Sequence, residues 1–240
     1  MIESELMNIV ITGASRGIGA ELVRYFQHQE GHTIIGIARS RDHLVALREE
    51  GHRNRMPSTF YGIVYDFVES QDFIGLTNQI ETLVPHIDIL INNAGFLLIK
   101  PFLEVDTADF DKVFAVNVKT PYLLIQALVP RMKKGSHIVN ISSMGGVQGT
   151  EKYPGLSVYS ASKGAVAVLT ECLATELWPL GVAVNCIAPG AVQTQMLNEA
   201  FPGYMAPIDA HTAADFIANF SLNAHNVMNG KIIQMSFSNP

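Results

Sequence analysis

The chain contains little cysteine, which excludes a fold held together by disulfides. It has two cysteines among 240 residues, Cys172 and Cys186, and both lie in apolar stretches. We therefore expect both to be buried free thiols rather than parts of a disulfide framework. The pair does not form a metal-binding motif, and no metal site is predicted.

Basic residues are also few, and they are scattered along the chain. There are 16 lysines and arginines against 22 acidic residues, and the formal net charge is -6. Proteins that bind nucleic acid carry a basic patch or stripe, so we expect no nucleic-acid partner. No run reaches about 18 uninterrupted apolar residues, the length of a membrane span. Met1 to Met7 lack the features of a signal peptide, and we predict a cytoplasmic protein with no membrane partner.

Short apolar runs alternate with longer amphipathic segments along the chain. Hydrophobic residues make up 48% of the sequence, which is enough for one large core. Strands that are apolar on both faces and separated by helices indicate a parallel sheet covered on both sides. We therefore predict one α/β domain over residues 1–240, a doubly wound Rossmann fold with a seven-stranded parallel sheet flanked by helices on both faces. Ligands are expected at the carboxyl ends of its strands.

The predicted strands cover residues 8–12, 33–38, 60–65, 87–91, 137–141, 182–187 and 231–235. The predicted helices cover a stretch ending near Gln29 and residues 41–50, 69–84, 106–132, 157–178 and 211–222. Residues 191–210 are the least regular part of the sequence. We interpret them as a mobile, substrate-covering loop rather than a second domain.

A glycine-rich turn joins the first strand to the first helix. It reads Thr12-Gly13-Ala14-Ser15-Arg16-Gly17-Ile18-Gly19. Glycines let the backbone approach a pyrophosphate, and a helix N-terminus offers free N–H groups and a partial positive charge. Taken alone, the turn has an alternative interpretation as a tight strand-to-helix connection that binds nothing.

The glycine spacing resembles that of the short-chain dehydrogenase/reductase superfamily, and further motifs of that family follow in the same order. They are Asn92-Asn93-Ala94-Gly95, Val116-Asn117-Val118, Ile141-Ser142-Ser143, Tyr159-Ser160-Ala161-Ser162-Lys163, and Pro189-Gly190 with Thr194. The matches cover most of the chain. The resemblance implies a nicotinamide cofactor and the interconversion of carbonyl and alcohol groups.

The resemblance also implies which residues bind the cofactor. They are Gly13, Ser15, Arg16, Gly17, Ile18, Gly19, Arg39, Ser40, Asp66, Phe67, Asn93, Ala94, Gly95, Tyr159, Lys163, Pro189, Gly190, Val192 and Thr194. An acidic residue at the end of the second strand would bind a free ribose 2′-hydroxyl, whereas arginine accommodates a 2′-phosphate. No acid stands at positions 36 to 40, so Arg16 and Arg39 are predicted to clamp the phosphate of NADP(H). Two solvated arginines are the alternative. Asp66 resembles the adenine-contacting aspartate of the family, and helix capping accounts for it equally well.

Four residues form the predicted catalytic set: Asn117, Ser143, Tyr159 and Lys163. Tyr159 and Lys163 share one helix face, and the lysine is expected to lower the tyrosine pKa. The resemblance implies that Tyr159 exchanges a proton with the substrate oxygen, which Ser143 orients. It also implies that Lys163 binds the nicotinamide ribose and that Asn117 holds a water. Each residue alone has a structural alternative: a helical pair, a strand-end cap, or a buried polar group satisfied by backbone.

Ser143 lies 16 residues before Tyr159, which is farther than is usual in the family. We interpret the difference as a short insertion around residues 151–154 that reshapes one wall of the substrate pocket. The residues predicted to line this pocket are mostly apolar: Phe96, Leu97, Met144, Gln148, Tyr153, Met196, Phe201 and Met205. Such a pocket favours a medium-sized or acyl-like carbonyl compound, unless some of these residues merely cap the core.

The predicted function is therefore NADPH-dependent reduction of a carbonyl to an alcohol, or the reverse. A 3-oxoacyl substrate is the nearest specific possibility that the resemblance suggests. A non-catalytic NADP-binding regulator and an epimerase or dehydratase of the same fold are the alternatives. The resemblance further implies a homodimer or homotetramer. Helices 106–132 and 157–178 would form the dimer, whereas the atypical tail over 234–240 puts an interface through the last strand in doubt.

Overall fold

The computed structural model describes residues 6–70 and 72–237, which excludes Met1 to Glu5 and the end of the tail, 238–240. Its strands are β1 (Asn8–Thr12), β2 (Thr33–Ala38), β3 (Thr59–Val64), β4 (Ile87–Asn92), β5 (Met132–Ile141), β6 (Ala183–Pro189), β7 (Val192–Gln193), β8 (Ile208–Asp209) and β9 (Ile232–Met235). Its α-helices are α1 (Gly17–His28), α2 (Arg41–Arg53), α3 (Phe73–Glu81), α4 (Thr107–Phe114), α5 (Thr120–Leu128), α6 (Ser157–Glu176), α7 (Gln195–Ala200) and α8 (Ala210–Asn223).

Seven strands form one sheet in the order β3-β2-β1-β4-β5-β6-β9. Every neighbouring pair is parallel, so all seven carboxyl ends lie at one edge. Along the chain, β2 and β3 are added on one side of β1, and β4, β5, β6 and β9 follow in turn on its other side. The order therefore reverses between β1 and β4, where open α/β sheets bind their ligands. The predicted doubly wound, seven-stranded fold is confirmed.

The sheet is buried on both faces, which explains why its strands are apolar throughout. One core layer joins the sheet to α1, α2 and α8 through side chains such as Phe26, Leu47 and Ile217. The other joins it to α3, α5 and α6 through side chains such as Leu76 and Leu124. Burial of one such large apolar side chain stabilises the fold by about 1.5–3 kcal/mol. The two layers hold the carboxyl edge of the sheet rigid beneath the candidate site.

The helix predicted over 106–132 is interrupted. Between α4 and α5, residues Ala115–Lys119 form a π-helical turn, and Val129–Arg131 form a 3₁₀ turn before β5. The strand then begins at Met132 rather than at 137, and its pairing with β4 shifts register between Ile87 and Ile89. The prediction was wrong here because Lys133, Lys134 and Gly135 do not form an apolar run.

The stretch Thr107–Arg131 is long and apolar enough to cross a membrane by length and composition alone, with a mean hydropathy of 1.3. Its buried side chains Leu124, Ile125 and Leu128 pack against the sheet in the core layer that includes α3. The buried share of its most apolar window is 39%, and core helices of water-soluble proteins satisfy the same length and composition criterion.

Three further expectations need correction. The helix predicted over 69–84 spans only Phe73–Glu81, because Asp72 caps its start by accepting a hydrogen bond from the Gly75 N–H. Cys186 is buried as expected, but Cys172 is exposed, because it lies on the outer face of α6. The segment 191–210 is more regular than predicted. It contains the short helix α7 and the two-stranded parallel sheet of β7 and β8.

Candidate active site

The glycine turn between β1 and α1 has a shape that only glycines allow. Gly13 and Gly17 adopt left-handed conformations with φ of 68° and 54°, which L side chains rarely adopt. A Cβ at Gly19 would lie 2.1 Å from the Gly13 carbonyl oxygen. The Gly13 N–H donates a hydrogen bond to the Ile37 carbonyl, 2.8 Å away, and this bond ties the turn to the end of β2.

The start of α1 has free hydrogen-bond donors. Arg16 occupies its N-cap without a side-chain hydrogen bond, and its first turn holds no acidic residue. The first N–H groups of a helix need an acceptor, and a pyrophosphate beside a glycine turn is one. The side-chain-free cradle and the uncapped helix start therefore fit the diphosphate of a dinucleotide.

The end of β4 supports the glycine turn from the other side of the switch point. The Asn93 amide donates to the Thr12 carbonyl at 3.0 Å. The Ala94 N–H donates to the Thr12 hydroxyl, also at 3.0 Å. Gly95 lies deeper, since a Cβ there would be 3.4 Å from Lys163 Nζ. The segment 93–95 thus lies between the glycine turn and the predicted catalytic residues.

Arg16 and Arg39 both lie beside this turn, but each also faces an acid. Arg16 is 3.9 Å from Glu199 of α7, and Arg39 is 4.0 Å from Asp66. These ion pairs are exposed, and exposed pairs contribute little to stability, so either guanidinium is free to turn towards a phosphate. Ser40 is the N-cap of α2 and accepts from the His43 N–H at 3.4 Å, which places the positive end of that helix beside Arg39.

Asp66 and Phe67 follow β3. The Asp66 carboxylate accepts a hydrogen bond from the Val68 N–H at 2.8 Å, so it caps a turn rather than α3. The Phe67 side chain is buried and stacks on Phe73 with ring centroids 6.3 Å apart. Its ring therefore belongs to the core, and only its backbone could contact a cofactor, which is a narrower role than predicted.

The loop after β6 closes the far side of the predicted cofactor site. Pro189 and Val192 are buried, and the Gly190 N–H donates to the Met235 carbonyl at 2.9 Å. Thr194 caps α7 by accepting from the Leu197 N–H. Its methyl carbon would lie 3.4 Å from a Cβ at Gly17. The loop thus contacts the glycine turn directly. Ser15 and Ile18 are partly buried within that turn.

Tyr159 and Ser143 meet at the carboxyl edge of the sheet, despite their long separation in sequence. The neighbouring Ser143 hydroxyl opposes a rise in the tyrosine pKa. Burial is the larger effect, so the pKa of Tyr159 lies above its ordinary value. We expected Lys163 to lower it. That expectation is not met here, because burial of the phenol outweighs any effect of the lysine Nζ, which lies over the ring at 5.9 Å from its centroid.

Lys163 lies beneath the tyrosine, one helical turn later on α6, and is only 4% exposed. Its Nζ donates a hydrogen bond to the Ile141 carbonyl at 2.8 Å. Burial lowers the lysine pKa to about 8. Sequence reasoning did not assign a role to Ser142, whose hydroxyl donates to the Lys163 carbonyl at 2.7 Å. Its position beside Ser143 was the only available signal. The lysine is therefore fixed at both its ammonium and its backbone.

Asn117 lies in the π-helical turn and is buried. Its side-chain oxygen accepts from the Phe96 N–H at 2.7 Å, and its amide donates to the Phe96 carbonyl at 3.0 Å. The amide also donates to Ser162 Oγ at 2.9 Å. The side chain is thus fully engaged, as the structural alternative foresaw. The hydrogen bonds position the loop after Gly95 over Lys163.

The residues predicted to line the pocket do not all point into one cavity. Phe96, Leu97, Met196 and Phe201 are partly buried, Met144 is in the core, and Gln148, Tyr153 and Met205 are exposed. The insertion packs against the loop after β4, since the Lys100 N–H donates to the Gly155 carbonyl at 3.0 Å. Whether the insertion also forms a wall of the substrate pocket stays a prediction.

The sheet is doubly wound, with a glycine cradle at its switch point and a tyrosine–lysine pair beside it. These features define the class of nucleotide-dependent oxidoreductases that act on alcohol and carbonyl groups. The family model for short chain dehydrogenase matches residues 7–204. The chain belongs to the short-chain dehydrogenase family.

Named relatives agree with this assignment. Carbonyl reductase [NADPH] 2 from Sus scrofa is 33% identical over 194 residues, which cover 79% of this chain and 73% of that protein. A 3-oxoacyl-[acyl-carrier-protein] reductase from Aquifex aeolicus is 33% identical over 189 residues, covering 78% and 74%. A dehydrogenase/reductase structure from Sinorhizobium meliloti superposes with a TM-score of 0.84 at 27% identity, covering 96% of this chain and 93% of that one.

Proposed function

We propose that this chain is an NADP(H)-dependent oxidoreductase that reduces a carbonyl group to an alcohol, with Tyr159 as the proton donor. The contact between the Tyr159 and Ser143 side chains carries this proposal. It lies at the carboxyl edge of the sheet, with Lys163 buried beneath it. When bound, the nicotinamide supplies the hydride or takes it back.

The raised pKa of Tyr159 keeps the proton on its hydroxyl. A phenol has a pKa of about 10 in water, and burial raises it here, so the hydroxyl stays protonated near neutral pH. Ser143 can donate a second hydrogen bond to the same carbonyl oxygen and stabilise the negative charge that develops there. Lys163 is positively charged below a pKa of about 8. It therefore favours the phenolate that remains after the proton has left.

NADP(H) is the proposed cofactor because arginines stand where a 2′-phosphate would lie. The positive end of α2 and the exposed guanidinium of Arg39 meet at this point. Arg16 approaches from α1. Arginine holds a phosphate through paired hydrogen bonds, whereas a free 2′-hydroxyl would need an acid instead. The NADPH in the name of the Sus scrofa relative supports the same choice.

For the substrate we propose a medium-sized apolar ketone, of which a 3-oxoacyl compound is one example. Phe96 and Leu97 after β4 and Phe201 in the covering segment offer partly buried apolar surface. Such surfaces bind apolar groups, while a few polar groups fix their orientation. The named relative that acts on 3-oxoacyl substrates supports this class.

We also propose one catalytic domain over residues 1–240, with 191–210 as its substrate-covering segment, in a cytoplasmic homodimer or homotetramer. Helices α4 and α5 leave Phe110 and Tyr122 exposed at 44% and 47%, which suits a helix-to-helix interface between two copies. A solution mass equal to one chain would contradict this part of the proposal.

Replacing Tyr159 with Phe tests the main proposal. The variant keeps the ring and removes the proton, so kcat for carbonyl reduction should fall at least about 100-fold, as expected for loss of a general acid. The dissociation constant of NADPH should stay within about twofold, because binding does not need the proton. Tyr61→Phe is the matched control, since Tyr61 is an exposed tyrosine on β3, an edge strand of the sheet.

Activity is read from NADPH absorbance with a panel of carbonyl compounds. Undiminished turnover in Tyr159→Phe would rule out the proton-donor role. NADPH binding without turnover of any carbonyl by the unmodified protein would favour the non-catalytic regulator instead.

A further inference from the structure

A basic cavity lies at the amino ends of the strands, away from the candidate active site. It occupies about 280 Å³ between the end of α1, the second half of α2 and the start of β3. Its lining includes Gln27, Arg48, Gly51, His52 and Arg55, and no acidic residue. We call it the α2–β3 cavity. It is distinct from the cofactor site, because all seven strands run parallel and that site lies at their carboxyl ends.

The floor of the α2–β3 cavity is a buried amide. Gln27 is 2% exposed and lines the cavity, and its carboxamide is open to the cavity space. A Cβ at Gly51 would lie 2.3 Å from Gln27 Nε2. Glycine inside a helix is destabilising, and here its missing side chain makes room for the amide. An amide that faces a cavity can donate to or accept from a ligand, so this one is placed to meet an anion with its N–H groups.

Three cationic or ionisable side chains surround the opening. Arg48 and His52 lie four residues apart on α2 and therefore share one face, and Arg55 follows the helix. None of the three is ion-paired with an acid in the described part of the chain, whereas Arg24 on the neighbouring helix contacts Glu50 at 2.9 Å. This basic group is unbalanced although the chain as a whole carries a net charge of -6.

The conformation of Arg55 is a further sign that its side chain is used. Its φ of 51° makes it the only non-glycine residue with positive φ in the described ranges. The Arg55 N–H donates to the His52 carbonyl at 3.2 Å, and the Met56 N–H donates to the Gly51 carbonyl at 3.0 Å. These bonds form a helix-ending motif in which the left-handed position is usually glycine. They also satisfy two helix carbonyls that would otherwise repel an anion.

We propose that the α2–β3 cavity binds a small oxyanion of the phosphate or carboxylate class. Arg48 and Arg55 would hold it from the rim, since guanidinium groups pair with both kinds of anion through two parallel hydrogen bonds. The Gln27 amide would donate a further hydrogen bond from the floor. The cavity is close to the lower limit of about 300 Å³ for small-molecule sites. It suits an inorganic anion or a small phosphorylated or dicarboxylic metabolite, and is too small for a dinucleotide.

Calorimetric titration of the full chain with inorganic phosphate, and separately with succinate, tests this at constant ionic strength set by chloride. The anion that gives the tighter saturable binding identifies the class. Arg55→Gly should weaken that binding at least about tenfold and still fold, because glycine favours the left-handed conformation. Gln27→Met removes the amide at similar volume and should also weaken binding. Circular dichroism verifies the fold of each variant.

Two matched controls distinguish binding in the α2–β3 cavity from a general effect of charge and from binding at the cofactor site. Arg53→Gln makes a similar loss of charge on the same helix but outside the cavity lining, and should change affinity less than about twofold. Arg39→Gln alters the predicted cofactor site and should leave anion binding in the cavity equally unaffected. The proposal is overturned if neither anion binds saturably, if Arg53→Gln weakens binding as much as Arg55→Gly, or if Arg39→Gln alone abolishes it.

Discussion

Acid should destabilise this fold through one buried histidine, His137 on β5. The residue is fully buried. Its Nδ1 lies 2.9 Å from the Ser221 carbonyl, and its Nε2 lies 2.9 Å from the Asn185 side-chain nitrogen. A neutral ring with its proton on Nδ1 donates to the first and accepts from the second. Protonation would place two N–H groups against each other beside His225, whose ring is 5.4 Å away.

The size of the effect follows from the pKa. Burial lowers the pKa of His137 from 6.5 to about 4, so between these values the unfolded chain binds the proton and the folded chain does not. Stability from this group is therefore complete above pH 6.5 and is lost as the pH falls towards 4. One pKa unit corresponds to about 1.4 kcal/mol, so the free energy of unfolding should fall by about 2 kcal/mol between about pH 7 and 5. His225, whose pKa burial also lowers, adds a change of the same sign.

Urea unfolding at several pH values in this window, followed by circular dichroism, measures the loss. His137→Asn keeps a donor for the Ser221 carbonyl but cannot titrate. Between about pH 7 and 5, the free energy of unfolding of this variant should therefore fall by less than half as much as that of the unmodified protein. His43→Asn changes an exposed histidine and should retain the full loss. If His137→Asn loses stability with pH as steeply as the unmodified protein, the assignment to His137 is wrong.

Two further predictions concern the cofactor. Gly19→Ala would place a methyl group 2.1 Å from the Gly13 carbonyl oxygen. Fluorescence titration should therefore show NADPH affinity reduced more than about tenfold in a chain that still folds. Unchanged affinity would contradict the proposal that the glycine turn binds the cofactor. NADPH should bind at least about tenfold tighter than NADH, and Arg39→Gln should remove most of that difference by weakening NADPH alone. Equal dissociation constants for the two cofactors in the unmodified chain would contradict the phosphate clamp.

The strands were predictable because a parallel sheet covered on both faces requires continuous apolar runs. β4 is buried along its whole length and reads as one such run. The first half of β5 was not predictable, since Lys133, Lys134 and Gly135 look like a loop. They extend the strand because their N–H groups find acceptors. The Lys133 N–H donates to Ser136 Oγ in the same strand, and the Gly135 N–H donates to the Gly181 carbonyl just before β6.

The candidate site was partly predictable, because its spacing carries the geometry. Tyr159 and Lys163 are one turn apart on a helix, and the structure stacks them as expected. Burial could not be read from the spacing, so the direction of the tyrosine pKa was missed. Phe67 illustrates the same limit. Its position after β3 suggested a cofactor contact, but its ring packs with Tyr65 in the core.

The π-helical turn at Ala115–Lys119 has a consequence for how this family member can diverge. A π turn is equivalent to one extra residue in an α-helix, so it rotates everything after it relative to everything before it. The row of α4 side chains and the row of α5 side chains that enters the core are therefore out of phase with each other. Exposed side chains in the α4 row can therefore be substituted without disturbing the core row of α5. Deleting one residue of the turn would realign the two rows and withdraw Asn117 from the backbone of Phe96.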